Sequence, residues 1–194
     1  TLTNTLALIW LLARQWGEAA DGHEFETLDK LAARVEARLA DPRGVDRLMQ
    51  LLEPDRGLLV VGHGPHAATA RQAAMMLAEW PKVPAQSSGL AAFRHGFIEA
   101  VQPGLGVIAI SSGSQRASVE RLAAELIEYG ARVLLLEAGE VLGGGEIAEA
   151  SPPLDEFLAP VLDIITFQHL AVRLAEDRGV EPGFRFISKV VRAR

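Results

Sequence analysis

From residue 57 onward the sequence alternates short apolar runs with stretches of helical period, and that alternation constrains the fold more than anything else in the chain. Runs at 57–61, 83–86, 107–111 and 132–136 have the length and composition of strands, and stretches near 66–80, 89–94, 115–129 and 156–177 read as helices. Strands separated by helices of this length pair in parallel, because each helix carries the chain back across the sheet before the next strand begins. The pattern predicts a three-layer α/β/α sandwich with a mostly parallel, flavodoxin-like sheet. Gly130 is placed to stop the third of these helices. Residues 139–153, with three consecutive glycines at 143–145, read as a loop carrying a short edge strand at 146–148.

Ahead of residue 57 the sequence is helical. Residues 5–16 are apolar nearly all round, which suits a helix buried between neighbours better than one facing water. Two amphipathic patterns follow, one with Leu28, Leu31, Ala32, Val35 and Leu39 on a face, the other with Val45, Leu48, Leu51 and Leu52, separated by the turn Asp41-Pro42-Arg43-Gly44. The expected division is a helical segment over 1–54 and an α/β domain with a C-terminal tail over 55–194.

Composition removes several function classes. A chain of 194 residues with 49% hydrophobic content can bury one sizeable core. A formal charge of −6 with basic residues clustered only in the tail from Arg185 to Arg194 argues against nucleic acid and against an anionic membrane surface. With no cysteine there is no disulfide framework, thiolate metal site or cysteine nucleophile, which fits a cytoplasmic location. The apolar run 6–13 is too short to span a bilayer.

Five places carry polar or ionisable groups against apolar surroundings. Gly62-His63-Gly64-Pro65 follows a strand and opens a helix, a geometry that fits either a tight turn or an anion held on free backbone amides. Ser111-Ser112-Gly113-Ser114 repeats that setting with hydroxyls; a phosphate cradle and simple N-capping of the next helix by Ser114 both fit. Glu79 ends an apolar helix just before Trp80-Pro81, where the helix dipole opposes a negative charge. His95 sits in the turn Phe93-Arg94-His95-Gly96-Phe97. Lys189 lies among Phe186, Ile187, Val190 and Val191, which argue that the tail packs.

Taken together these residues resemble the sugar isomerase (SIS) family, and in particular the second of two SIS domains in the isomerase half of glucosamine-6-phosphate synthases and their phosphosugar isomerase and deaminase relatives. In that family a catalytic Glu ends such a helix, a His follows sixteen positions later in an Arg/Lys-His-Gly-Pro turn, and a Lys sits in a C-terminal Ser-Lys-Val segment. Here Glu79 and His95 are also sixteen apart (95 − 79), and Ser188-Lys189-Val190 lies in the C-terminal segment. Thr-Asn-Thr-Leu-Ala-Leu at 3–8 is similar to the helix that closes the first SIS domain in two-domain members. This resemblance implies that the chain begins in mid-protein.

The resemblance implies a phosphosugar substrate, no metal or redox cofactor, and pairing as a homodimer or with a first SIS domain. It implies Glu79 as the base that moves a proton between adjacent sugar carbons, Lys189 as a Schiff-base or substrate-positioning amine, and His95 as a ring-opening group supplied across a dimer. Gly62, His63, Gly64, Ser111, Ser112, Gly113 and Ser114 are the implied substrate-binding loops. The chain departs from the family pattern at His63 in place of Arg, at Ile110 and Gln115 in the phosphate loop, and at Ala92 and Phe97 around the histidine. Those departures keep two other readings open: a catalytically inactive phosphosugar-binding regulator, and a one-domain isomerase of the heptose phosphate type.

Overall fold

The computed structural model describes residues 2–17, 20–51, 57–143 and 154–184. In chain order these form α1 (Leu2–Trp16), α2 (Glu24–Ala40), α3 (Arg43–Leu51), β1 (Leu58–Gly62), α4 (Pro65–Glu79), β2 (Ala85–Gly89), α5 (Leu90–Arg94), β3 (Gly106–Ile110), α6 (Arg116–Glu128), β4 (Arg132–Glu137), β5 (Glu140–Gly143) and α7 (Ala159–Asp177). Short 3-10 turns precede β3 and α6.

The five strands form one sheet in the order β2-β1-β3-β4-β5, parallel except for β5. This is the flavodoxin-like order, and it fixes a switch point at β1, where connections leave towards opposite sides of the sheet. Strands β1 and β3 are buried along their whole length, as a strand covered on both faces must be.

Alternate residues of β1 feed two separate cores. Leu58 and Val60 pack with Val45 and Leu48 of α3, Leu77 of α4 and Phe167 and Leu170 of α7. Leu59 and Val61 pack on the other face with Phe93 of α5 and Leu122 and Leu126 of α6. A third cluster joins Trp10 of α1 and Leu31 of α2 to Leu158 and Leu162 at the start of α7. Helix α7 is consequently buried almost all round, with the sheet on one side and the N-terminal helices on the other.

Three details differ from the sequence reading. Strand β2 begins at Ala85 rather than 83: Val83 is buried as a plug beside α4, donating its N–H to Leu77 O, and is not a strand residue. The edge strand anticipated at 146–148 lies outside the described residues, and the described edge strand is Glu140–Gly143, turned back from β4 by Ala138 and Gly139 at φ 46° and 83°. Two positive φ values in a two-residue connection make a type I′ turn, whose twist matches that of the flanking strands. Helix α1, expected to be buried all round, is covered within the chain on one side only: Trp10 is buried, whereas Leu8, Ile9 and Leu12 are more than half exposed.

Candidate functional site

Of the residues singled out from the sequence, the glycine and serine loops fall at one end of helix α4 and Glu79 at the other. The fifteen residues of α4 span roughly 21 Å at 1.5 Å per residue, so groups at its start and its end are far apart.

At the start of α4 lie the C-terminal ends of β1 and β3, the crevice in which sheets of this topology bind ligands. Gly62 ends β1, Gly64 adopts φ 53°, and Pro65 begins the helix with its fixed φ. The loop after β3 runs through buried Ser111 and Ser112 to exposed Gly113 and Ser114. Ser114 does not cap α6, whose cap position is Gln115; its hydroxyl and its N–H both donate to the carboxylate of Glu156, at 3.4 and 3.3 Å. Gly113, at φ 66°, makes room for that carboxylate, since a Cβ there would lie 2.2 Å from Glu156 Cδ. The loop expected to cradle phosphate already holds an anion from its own chain.

Behind this crevice is a buried polar chain. His66, in the first turn of α4, places Nδ1 3.0 Å from Asp163 Oδ2 in α7, and its Nε2 meets the Ser112 hydroxyl. The second carboxylate oxygen, Asp163 Oδ1, accepts the Gly139 N–H at 2.8 Å, and Thr166 Oγ1 donates to Gly139 O at 2.7 Å. Burial pushes the Asp163 carboxyl above the ordinary aspartate range, while His66 and the Gly139 amide pull it back. Sequence reading passed over His66 as the end of a glycine turn and passed over Asp163 entirely. The available signal was a single acidic residue inside the apolar run from Leu158 to Ile165.

At the other end of α4, Glu79 is half-buried and Pro81 blocks further helix. Lys82, at φ 60°, folds its ammonium back to donate to both Glu79 O and Gly183 O. The cation thus sits on the carbonyl end of the helix, where its charge is favoured, and ties the C-terminal segment to it. A cavity of about 450 Å³ opens there, lined by Lys82, Val180, Glu181, Pro182, Gly183 and Phe184. Lys189 lies outside the described residues.

His95 caps α5 and is exposed, with Phe93 anchored in the core beneath it and Arg94 paired to Glu125 of α6 at 2.9 Å. Helix α5 packs on one face of the sheet and α4 on the other. Within one chain, therefore, the sheet stands between His95 and Glu79. No group of three or more potential metal-ligating side chains occurs among the described residues, and no described helix is long and apolar enough to cross a membrane.

No protein-family model matches the chain. Its sequence is similar to glutamine–fructose-6-phosphate aminotransferases: 26% identical over 191 residues to that of Thermococcus kodakarensis, covering 94% of this chain and 32% of the relative. The Streptococcus pyogenes enzyme is 28% identical over 193 residues, covering 92% and 31%. The chain thus spans about a third of the curated relatives it matches. Among solved structures, the C-terminal domain of glucosamine-fructose-6-phosphate aminotransferase from Francisella tularensis superposes with a TM-score of 0.72 at 18% identity, covering 86% of this chain and 49% of that one. Glucosamine-6-phosphate deaminase from Thermotoga maritima gives 0.69 at 17% identity, covering 93% and 52%. Tagatose-6-phosphate ketose/aldose isomerase from Escherichia coli gives 0.65 at 22%, covering 78% and 44%. The chain is thus similar in sequence, over nearly its whole length, to about a third of the glutamine–fructose-6-phosphate aminotransferases, and it has the fold of the C-terminal domain of such an enzyme.

Proposed function

We propose that this chain is one phosphosugar-binding unit of an aldose-ketose isomerase or deaminase, and that it supplies catalytic groups to a site completed by another unit. The observation that carries this reading is the Lys82 clasp. It fixes Gly183 against the carbonyl end of α4, so the tail leaves from beside Glu79. Six further residues bring the chain to Lys189, and six extended residues reach at most about 20 Å. Glu79 can therefore act as the proton-shuttling base, with Lys189 as the amine that engages a keto sugar. His95 faces away on the other side of the sheet and would serve ring opening in a neighbouring copy.

The exposed apolar face of α1 supports the pairing. Leu8, Ile9, Leu12 and the 87% exposed Trp16 form a patch of the kind that a partner covers, either a second copy or a first SIS domain. Sedimentation of this chain at micromolar concentration should show self-association, and a clean monomer would count against it.

A catalytically inactive phosphosugar-binding regulator is the second reading, favoured by Ala92 and Phe97 around His95 and by Glu156 on the β3–α6 loop. Both readings make the phosphate anchor weak, because Glu156 competes for the amide and hydroxyl of Ser114. Thermal-shift titration with glucosamine 6-phosphate and fructose 6-phosphate should give little saturable stabilisation, and the chain alone should not isomerise either sugar. Glu156→Gln, which removes the competing charge, should increase the stabilisation. Strong binding and turnover by the unaltered chain would instead establish a one-domain isomerase.

A further inference from the structure

The chain Ser112–His66–Asp163 takes no part in the chemistry assigned to Glu79, Lys189 and His95, and it lies at the opposite end of α4 from Glu79. Three separate elements supply it: the loop after β3, the first turn of α4, and α7. All three residues are buried, His66 at 1%, Asp163 at 0% and Ser112 at 8% exposure. Burying an imidazole and a carboxylate together is costly, and an apolar pair of similar volume would pack as well. Their bonding also has a direction. A carboxylate on Nδ1 fixes the tautomer that carries its proton there, which leaves the Nε2 lone pair to accept the Ser112 hydroxyl. Asp163 is itself held by the Gly139 amide at 2.8 Å, so the base is oriented by a group that is oriented in turn.

We propose that Ser112 is a nucleophilic serine, with His66 as its general base and Asp163 as the residue that orients His66, acting on uncharged esters with an apolar acyl group. Ser112 stands at the crevice end of β3, and the Ser114 N–H two residues on already points at a negatively charged oxygen, that of Glu156. An amide in that position suits the oxyanion of a tetrahedral intermediate. An apolar cavity of about 560 Å³ lies between α1 and the starts of α4 and α7; Pro65 and Ile164, the chain neighbours of His66 and Asp163, line it, and the three polar residues themselves stand behind that wall. In the first half-reaction Ser112 Oγ bonds to the acyl carbon while its proton passes to His66 Nε2. That proton then leaves with the alcohol as the ester C–O bond breaks. Water repeats the sequence, giving its proton to His66 and its oxygen to the acyl carbon, so that a carboxylic acid departs and Ser112 recovers its hydrogen.

The inference rests on geometry independent of the phosphosugar reading, and its test needs no sugar phosphate. An alkyl fluorophosphonate, which phosphonylates activated serines, should label the chain at Ser112, as located by peptide mass spectrometry. Labelling should vanish in Ser112→Ala and slow at least 100-fold in His66→Gln, and Glu156→Ala should speed it by uncovering the loop. The orienting role of Asp163 has its own signature: an exchange-protected, far-downfield imidazole N–H proton resonance, retained in Ser112→Ala and lost in Asp163→Asn. Absence of Ser112 labelling in both the parent chain and Glu156→Ala would overturn the proposal. So would labelling that survives His66→Gln at the parental rate, or the lack of a protected imidazole proton.

Discussion

Gly62→Ala should destabilise the domain by about 3 kcal/mol or more, a cost at the upper end for forcing extra volume into a packed site. A Cβ at this position would lie 2.2 Å from the His66 carbonyl oxygen, 2.6 Å from its carbon and 3.0 Å from the Ala67 nitrogen. All three are backbone atoms in the first turn of α4, so no side chain can swing aside. The strand end is also held in place, because Gly62 is in register with Gly89 of β2 and the preceding residue, Val61, with Ala109 of β3. Relief requires moving the start of α4 off the sheet, which withdraws His66 from Asp163 and leaves a buried carboxylate without its partner. For a chain of this size the melting temperature should drop by roughly 6–12 °C. A change below about two degrees would mean that the start of α4 can move off the strand at little cost.

The second large effect concerns Glu79. In an assembly that contains this chain and isomerises a sugar phosphate, Glu79→Gln should lower turnover by roughly 100-fold or more while KM changes little. Glutamine keeps the shape of the side chain at the half-buried end of α4 and removes only its capacity to accept a proton. The Lys82 clasp engages the backbone carbonyl of residue 79 and survives the change, so loss of the tail cannot account for lost activity. Unchanged turnover would reject Glu79 as the base and shift attention to the opposite end of the helix.

How much of this was legible beforehand depends on what each residue signals locally. Strands β1 and β3 were readable because every residue in them is buried and apolar character is continuous. Strand β2 was misplaced by two residues because only Ser88 within it is buried, and the apolar cue came from Val83, which packs beneath α4 instead. Strand β5 was missed because it is four residues long and its turn, Ala138-Gly139, lacks the Asn-Gly or Asp-Gly signature that announces such hairpins.

The end of α4 was readable from Trp80-Pro81, and with it the position of Glu79. The opposite faces of Glu79 and His95 were not, since a spacing of sixteen residues says nothing about which side of a sheet each helix takes. The pairing of His66 with Asp163 spans 97 residues, and no local pattern encodes it. What the sequence displayed was only its cost, a lone carboxylate in an apolar helix.

The grip on Gly139 has a bearing on how the molecule breathes. Asp163 holds the peptide N–H of that residue and Thr166 the carbonyl, so the tip of the β4–β5 hairpin is fastened to the middle of α7 from both sides. An edge hairpin this short would ordinarily be among the first parts of a sheet to open. Fastened in this way, it cannot lift away while α7 stays in place. Its amides should therefore exchange with solvent deuterium at the pace of the buried helix, and hairpin and helix should come apart as one cooperative unit.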